Sequence, residues 1–293
     1  MPKVIILGST GMLGRGVLQA FAGSPLELVG TTRDGQSVNG VSSLPVVKFD
    51  ALTDDVSALD SVVSAGDWVI NCIGIIKPHI KDDNADQRRV AMIVNGLFPD
   101  QLARYAESKD LRVIQIATDC VYSGLKGKYS EADEFDALDV YGKTKSLGEV
   151  PSPNMMHLRV SIIGPEYGRS TSLFEWVRNQ PQNAEIFGFT DHVWNGVTTF
   201  HFGKLCRGII EHSDFVPGTT HVIPGSTLTK EVLVGALAAR AGRSDITVTP
   251  KASGKVIDRT LSTTNGEVVA RLWHNAGYAS APTVEQMIQE MPL

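Results

Sequence analysis

The sequence predicts an α/β protein built on a doubly wound parallel sheet, with a smaller C-terminal α/β lobe. Three observations lead to this prediction. Short apolar runs alternate with helical patterns through the first half of the chain, as in βαβ units. The run at 68–74 (WVINCIG) is almost continuously apolar, which is typical of strands buried on both faces. The first run, at 3–7, leads through a glycine-rich turn into an amphipathic pattern.

Composition narrows the class of protein. Of 293 residues, 42% are hydrophobic and 20% charged, which is ordinary for a globular protein. The net charge of −5 leaves no basic surface for a nucleic acid. We find no signal-peptide pattern and no apolar run near the roughly 20 residues of a membrane helix. Because Cys72, Cys120 and Cys206 are widely separated, we expect a reduced cytoplasmic protein without a metal site or membrane partner.

The glycine turn at 8–14 (GSTGMLG) is the first candidate ligand site. Its glycines recur every third residue between a predicted strand and a predicted helix. Such a turn lets a pyrophosphate approach unpaired backbone N–H groups and the positive end of a helix dipole. The spacing is GxxGxxG, whereas the commonest dinucleotide fingerprint is GxGxxG. A glycine turn without a ligand is the alternative. The predicted cofactor contacts here are Gly8, Thr10, Gly11, Met12, Leu13 and Gly14.

The next two predicted strands bear on the choice of cofactor. The strand at 26–32 ends at Arg33, where this fold meets the adenosine ribose. Threonines and an arginine, with no acid among them, suit a 2′-phosphate, so NADP is favoured over NAD; a solvated loop arginine is the alternative. The strand at 46–49 ends at Asp50, which either accepts from the adenine amino group or caps the next turn. A helix is expected after it.

The fourth strand, at 68–74, brings Cys72 and Gly74 to the carboxyl edge, where open α/β sheets bind ligands. The polar loop that follows carries His79. That histidine is either solvated or close to a substrate, and the sequence alone leaves both open.

The stretch 88–108 has helical periodicity, with Asn95 on its apolar side. A buried asparagine needs hydrogen-bond partners, so Asn95 is expected to tie this helix to a neighbour near the site. The fifth strand, at 111–117, then delivers Thr118 and Asp119 to the same carboxyl edge.

Tyr141 and Lys145 form the pair that indicates a reaction. Spaced at i and i+4, they share one face of a helix. A lysine beside a tyrosine lowers the pKa of the phenol. The tyrosine can then pass its proton to an alkoxide that develops during hydride transfer, while Thr118 bonds the same oxygen. Tyr-x-x-x-Lys is a common chance match, but its place behind five strand–helix units and a glycine turn predicts an oxidoreductase.

These motifs resemble those of the extended short-chain dehydrogenase/reductase superfamily, most of all its dTDP-4-dehydrorhamnose reductase group. The resemblance covers the chain up to about residue 165. It implies a Rossmann-type fold in which Thr118 contacts the substrate oxygen, Tyr141 is the acid and Lys145 holds the nicotinamide ribose. It is carried by segments 8–14, 94–95, 117–124 (ATDCVYSG), 127–131 (GKYSE) and 141–149 (YGKTKSLGE).

The same resemblance implies the remaining contacts. Cys72, Gly74 and Ala117 complete the cofactor side. Trp194 either stacks on a base or sugar or packs in a lid, and the stretch 258–262 resembles a late family segment whose arginine reaches a substrate diphosphate. The implied substrate contacts are Asp119, Val121, Trp194, Thr199 and Arg259.

Cys120 is a departure from the related dehydratases, which carry Asp-Glu after the threonine where this chain has Asp119-Cys120. The cysteine does match a catalytic position of GDP-fucose synthase-like epimerase–reductases. Those enzymes also need a histidine after the sixth strand, and segment 166–180 contains none. A packing role and a base role for Cys120 therefore both stay open.

The sequence thus predicts NADPH-dependent reduction of the 4-keto group of a nucleotide-activated deoxysugar, such as dTDP-4-dehydrorhamnose. NAD(H) is the alternative cofactor. A nucleotide-sugar epimerase or epimerase–reductase, and a non-catalytic NADP-binding regulatory protein, are the alternative functions. A homodimer is left open. We expect a Rossmann domain of residues 1–163 plus about 200–224, and a substrate lobe of 164–199 plus 225–293.

Overall fold

The computed structural model describes residues 2–41, 43–168 and 170–293. Strands and helices alternate from the start of this part of the chain. The strands are β1 (Val4–Leu7), β2 (Leu28–Thr32), β3 (Val46–Lys48), β4 (Trp68–Asn71), β5 (Arg112–Thr118), β6 (Met155–Val160), β7 (Ile162–Ile163), β8 (Glu185–Phe189), β9 (His192–Trp194), β10 (Val197–Thr198), β11 (Gly218–His221), β12 (Leu228–Thr229), β13 (Thr247–Lys251) and β14 (Ile257–Asp258). The α-helices are α1 (Met12–Ala20), α2 (Ala85–Ala91), α3 (Phe98–Lys109), α4 (Val140–Leu147), α5 (Leu173–Arg178), α6 (Thr199–Glu211), α7 (Lys230–Arg240), α8 (Gly266–Asn275) and α9 (Val284–Glu290).

Seven of these strands form one sheet in the order β11-β6-β5-β4-β1-β2-β3. Every pairing within it is parallel. The strand order reverses between β1 and β4, and ligands of open α/β sheets bind outside the carboxyl ends at such a switch point. The register pairs Leu7 with Asn71, so the glycine turn and the loop after β4 leave the sheet side by side. The predicted doubly wound parallel sheet is confirmed.

Both faces of the sheet are covered. Along β1, Val4 and Ile6 belong to the apolar core beneath α1 and α6, whereas Ile5 and Leu7 belong to the core beneath α3. A strand buried on both faces reads as a continuous apolar run, because neither face needs polar side chains. This is the physical basis of the pattern seen in the sequence.

Helices α1 and α6 pack closely because glycines line their contact. A Cβ at Gly203 would lie 2.8 Å from the Val17 Cα and 2.7 Å from the Ala20 Cβ. A Cβ at Gly16 would lie 2.5 Å from the Thr199 side chain. These glycines set the depth at which α6 rests on the helix that follows the glycine turn.

Two connections differ from the predicted pattern. After β3, the expected helix is only a 3₁₀ turn (Val56–Leu59), whose Asp55 cap accepts from the Ser57 N–H at 2.9 Å. The predicted helix at 88–108 is divided by a π-helical stretch, Met92–Leu97, between α2 and α3. Pro99 follows in the first turn of α3, where it can donate no backbone hydrogen bond. The helix is continuous along its length but changes its hydrogen-bond period around Asn95.

The C-terminal part adds three small sheets. They pair β10 with β7, β13 with β8, and order three strands as β12-β9-β14. The last of these brings the ends of three distant segments together beside the main sheet's carboxyl edge. None of the helices in the described ranges is both long and apolar enough to cross a membrane. The division into two interleaved domains stays a prediction.

A matched pair of glycine substitutions tests the α1–α6 contact. Both Gly203 and Gly235 lie inside helices, so alanine gains similar helix propensity at each. At Gly203 the methyl group meets backbone, whereas nothing lies within 4 Å at Gly235. We expect Gly203→Ala to lower the free energy of unfolding by about 1–3 kcal/mol. We expect Gly235→Ala to raise it by about 0.5–1 kcal/mol, as measured by urea unfolding. Equal effects of the two changes would contradict the tight packing.

Candidate active site

A cleft of about 380 Å³ opens at the carboxyl edge of the main sheet. The glycine turn, the ends of β4 and β5, α4 and the C-terminal lobe all contribute to its wall. Eleven of the residues predicted from the sequence line it: Gly11, Met12, Leu13, Cys72, Gly74, Ala117, Thr118, Asp119, Tyr141, Lys145 and Trp194. The cleft thus joins the predicted cofactor turn to the predicted catalytic residues.

The glycine turn presents backbone alone to this cleft. Gly8 has a positive φ of 76°, and a Cβ at Gly14 would lie 2.3 Å from the Gly8 carbonyl oxygen. Gly11 caps α1 without a side-chain hydrogen bond, so the first N–H groups of the helix keep their donors for a ligand. The turn is fastened to β2, because the Ser9 hydroxyl donates to the Thr31 carbonyl at 2.8 Å. A cradle of this kind fits a dinucleotide pyrophosphate.

The predicted adenosine contacts lie outside the cleft. Arg33 is exposed one residue after the end of β2. Asp50 accepts from the Leu52 N–H at 3.0 Å and donates its own N–H to Asp54 at 2.8 Å. Of the two alternatives for Asp50, the structure therefore shows the turn cap. Gly8, Thr10 and Gly14 complete the turn behind its cleft-lining residues.

The predicted catalytic residues come together as expected. Asp139 caps α4 by accepting from the Gly142 N–H at 2.9 Å, which starts the helix just before Tyr141. Tyr141 and Lys145 both line the cleft together with Thr118, whose hydroxyl donates to the Asp119 carboxylate at 3.2 Å. Lys145 extends under β5 and donates to the Ile116 carbonyl at 3.0 Å. Each of these groups is anchored by a strand end or by a capped helix.

Burial sets the pKa values of this group. Desolvation raises the pKa of Tyr141 above its ordinary value, and the hydrogen bond from Thr118 opposes that rise. Desolvation also lowers the pKa of Lys145 to about 8, against the attraction of Glu149. The sequence-based expectation that Lys145 lowers the pKa of Tyr141 is not met within the chain, because the ammonium is directed to the Ile116 carbonyl.

Asn95 ties the site together. Its Oδ1 accepts from the Ile75 N–H at 2.9 Å, and its Nδ2 donates to the Ile75 carbonyl at 3.0 Å. Nδ2 also reaches the Thr144 hydroxyl on α4 at 3.4 Å. One buried amide therefore connects the π-helical stretch to the loop after β4 and to the helix that carries Tyr141.

Asp119 and Cys120 directly follow Thr118. Asp119 is 7% exposed. Burial raises the pKa of its carboxyl, against the opposing charges of Arg259 and Lys230. Burial raises the pKa of the Cys120 thiol to about 12, and the Asp119 charge adds to that rise. Cys120 is therefore a protonated thiol at neutral pH.

Two predicted substrate contacts are corrected by the structure. Val121 is fully buried in an apolar cluster with Tyr122 and Leu261, so it supports the site without facing the cleft. Thr199 is 1% exposed and packs against two glycines, Gly16 and Gly164, at the start of α6. Neither side chain can touch a ligand, because each fills the space between packed elements.

Arg259 lies behind Asp119, outside the cleft lining. Its Nε donates to the Tyr122 carbonyl at 2.8 Å, which fixes the guanidinium. Trp194 does line the cleft, and its indole N–H donates to the Ser161 hydroxyl at 2.8 Å. The ring thus forms part of the cleft wall and is fixed by this bond, and stacking on a base or sugar stays a prediction.

Three further side chains line the cleft: His79, for which the sequence left a solvated and a substrate-side position open, and Glu166 and Lys230, which were not predicted. His79 carried no motif, although its loop leaves the ligand edge. Glu166 accepts from the Thr171 hydroxyl at 2.9 Å and shapes the lip of the cleft. Lys230 is brought in by the pairing of strands that are distant in sequence, so no local pattern could have indicated it. Within the described ranges, no group of His, Cys, Asp or Glu could hold a metal ion.

Comparison with known proteins shows a single family. A family model described as the RmlD substrate binding domain matches residues 2–288. The chain is 27% identical over 235 residues to the probable low-salt glycan biosynthesis reductase Agl14 of Haloferax volcanii, covering 76% of this chain and 75% of that protein. It is 29% identical over 225 residues to a dTDP-4-dehydrorhamnose reductase of Aggregatibacter actinomycetemcomitans, covering 72% and 67%. It is 26% identical over 252 residues to the methionine adenosyltransferase 2 subunit beta of Danio rerio, covering 80% and 73%.

Solved structures share the fold at lower identity. The dTDP-4-dehydrorhamnose reductase of Bacillus anthracis in complex with NADP has a TM-score of 0.74 at 16% identity, covering 99% of each chain. The Clostridium acetobutylicum dTDP-4-dehydrorhamnose reductase has a TM-score of 0.71 at 20% identity, covering 98% of this chain and 97% of that one. Both confirm the Rossmann-like architecture of the main sheet.

The buried lysine predicts a pH-dependent stability. The folded pKa of Lys145 is lowered from 10.5 to about 8. Between these values the unfolded chain binds more protons, so the free energy of unfolding rises with pH in this window. We expect wild type to gain about 2 kcal/mol relative to Lys145→Met between pH 7.5 and 10, by urea unfolding. Lys143→Met, an exposed neighbour on α4, is the control. A pH-independent difference between wild type and Lys145→Met would contradict the burial of the charge.

Proposed function

Because the chain belongs to the RmlD substrate binding domain family, we propose that it is an NADPH-dependent reductase. Its substrate is the 4-keto group of a nucleotide-activated deoxysugar, for which dTDP-4-dehydrorhamnose is the reference compound. The observation that carries this proposal is one cleft that joins the glycine turn to Thr118, Tyr141 and Lys145. The helix that follows this turn has no side-chain cap, so its first N–H groups are available to a ligand. NAD(H) is the alternative cofactor.

The residues of the chain divide the chemistry between them. Bound NADPH supplies the hydride that adds to the carbonyl carbon. The Tyr141 phenol gives its proton to the carbonyl oxygen, so that the ketone becomes a secondary alcohol. Thr118, at the end of β5 in the same cleft, donates a hydrogen bond to the same oxygen.

The raised pKa of Tyr141 keeps its proton in place until a strong base develops beside it. A pKa of about 8 leaves Lys145 mostly protonated at neutral pH, with its ammonium held by the Ile116 carbonyl where it would bond the nicotinamide ribose. Asn95 keeps α4 and the loop after β4 in register, which fixes the distance between the acid and the cofactor turn. The proton donor is therefore both stored and positioned by burial.

An epimerase is disfavoured by the state of Cys120. A base that removes a proton beside a ketone must itself be deprotonated, and burial raises the pKa of this thiol to about 12. His79 lies in the same cleft but is exposed on its rim. Proton exchange beside the ketone is the signature that a GDP-fucose synthase-like epimerase would leave, and we expect none.

A non-catalytic subunit is the second candidate. It is favoured by relatives that carry the name methionine adenosyltransferase 2 subunit beta and match about 80% of this chain. The reductase is preferred because Thr118, Tyr141 and Lys145 form a complete proton-transfer group in one cleft. A protein that binds NADPH but turns over no keto-sugar nucleotide would favour the subunit.

The removal of one hydroxyl tests the reductase directly. Tyr141→Phe keeps the ring and deletes the proton donor, so kcat for dTDP-4-dehydrorhamnose should fall about 10²–10⁴-fold. NADPH binding should change less than threefold. Tyr105→Phe is the control. Tyr105 lies on α3, away from the cleft, and its phenol donates to the Asp60 carboxylate at 2.7 Å. Native turnover by Tyr141→Phe would remove Tyr141 from the role of acid.

Cofactor preference tests the exposed arginine after β2. If Arg33 binds the 2′-phosphate, Arg33→Ala loses a charge-assisted contact and the Kd for NADPH should rise about tenfold or more. The Kd for NADH should stay within about twofold. Arg104→Ala, an exposed arginine of α3, is the control for a general loss of charge. Equal weakening of both cofactors in Arg33→Ala would contradict 2′-phosphate recognition.

A further inference from the structure

Lys230 is a charged side chain that the fold directs into the cleft. The antiparallel ladder pairs Leu228 with Trp194, and the parallel ladder pairs Asp258 with Val193. The small sheet β12-β9-β14 therefore sets Lys230 and Arg259, the residues that follow β12 and β14, on either side of β9. Lys230 lines the cleft, with its ammonium 5.6 Å from the centre of the Trp194 ring.

The ammonium of Lys230 is poorly compensated within the protein. Its side chain is partly buried, and the contact given for its ammonium within the described residues is the Trp194 ring. Lys230 is also the first residue of α7, where the positive end of the helix dipole repels a cation. Desolvation and the Arg259 charge lower its pKa, and the Asp119 carboxylate opposes them. Two cations therefore flank one buried acid.

Such an arrangement is destabilising unless something offsets it. Burial, the helix dipole and a neighbouring cation all act against the Lys230 charge, while Asp119 is shared with Arg259. An oxyanion entering the cleft would supply both the charge and the acceptors that Lys230 lacks. Strained or unpaired groups of this kind concentrate where ligands bind.

We propose that Lys230 is a substrate-binding residue, whose ammonium binds an oxyanion of the nucleotide sugar in the cleft. This inference rests on the proposed function, since it assigns a residue to the substrate half of the same cleft. The oxyanion has two chemical sources in such substrates. One is the diphosphate that every nucleotide sugar carries, and the other is a carboxylate on the sugar. Both are recognised by the same cation.

Binding measured by calorimetry with full-length protein separates these sources. The probes are dTDP, UDP, UDP-glucose and UDP-glucuronate, in the presence of NADPH. With the diphosphate as partner, Lys230→Met should weaken all four probes about tenfold or more. With a sugar carboxylate as partner, it should weaken only UDP-glucuronate, and leave UDP-glucose within twofold. Either pattern supports Lys230 as the anion-binding residue.

Three controls make the test decisive. Lys251→Met removes a lysine of the same lobe whose ammonium lies 4.3 Å from the Phe187 ring, and it should leave all Kd values unchanged. Lys230→Arg should retain binding, because it keeps the cation. Lys230→Gln replaces Lys230→Met if the latter does not fold, with unchanged NADPH binding as the check.

The two levels of inference fail differently. Wild-type Kd values in Lys230→Met or Lys230→Gln, with wild type binding at least one probe, would overturn the role of Lys230 and leave the reductase standing. A wild-type protein that binds NADPH but none of the four probes would overturn both.

Discussion

A single buried amide holds the catalytic parts in one arrangement. Asn95 bonds both backbone groups of Ile75 and reaches Thr144 on α4, so it joins the cofactor side of the cleft to the helix that carries Tyr141. The π-helical stretch around Asn95 shifts the period of the helix, and a Cβ at Gly148 would lie 2.1 Å from the Asn95 carbonyl oxygen. Asn95 therefore takes part both in the close backbone contact with Gly148 and in the hydrogen bonds that satisfy the buried amide.

Burial then sets the pKa values of the titratable groups in this arrangement. The same desolvation raises the pKa values of Tyr141, Cys120 and Asp119 and lowers that of Lys145. In each case burial acts against the charged form, which suits a site where Tyr141 keeps its proton until a base develops beside it. A carbanion mechanism would need an exposed or ionised base, and Cys120 has neither property. Under the proposed function, one environment therefore supports reduction and disfavours epimerisation by a cysteine base.

The sequence could predict the main sheet and the cofactor side of the cleft because their signals are local. Strand burial shows as an apolar run, and the glycine spacing and the Tyr-x-x-x-Lys pair lie within single turns. The position of Asn95 on the apolar side of a helical pattern is also a local signal, and it predicts that Asn95 connects this helix to a neighbour. The 3₁₀ turn after β3 and the burial of Thr199 were not predicted, since both follow from packing against distant elements. Asp119 and Val121 belong to the same 3₁₀ turn, in which Asp119 lines the cleft and Val121 lies in the apolar cluster. The sequence does not show which way such a short turn directs each side chain.

The residues on the substrate side of the cleft are brought together by strand pairings, which no local sequence pattern predicts. Lys230, Trp194 and Arg259 meet because three short strands, far apart in the chain, form the sheet β12-β9-β14. Each strand has only two or three residues, too few for periodicity to be read. A change in one of these loops would alter the charge facing Asp119 without touching Thr118, Tyr141 or Lys145. The chemistry and the specificity of the cleft are thus carried by separate parts of the chain, which lets a family keep one reaction while its substrates differ.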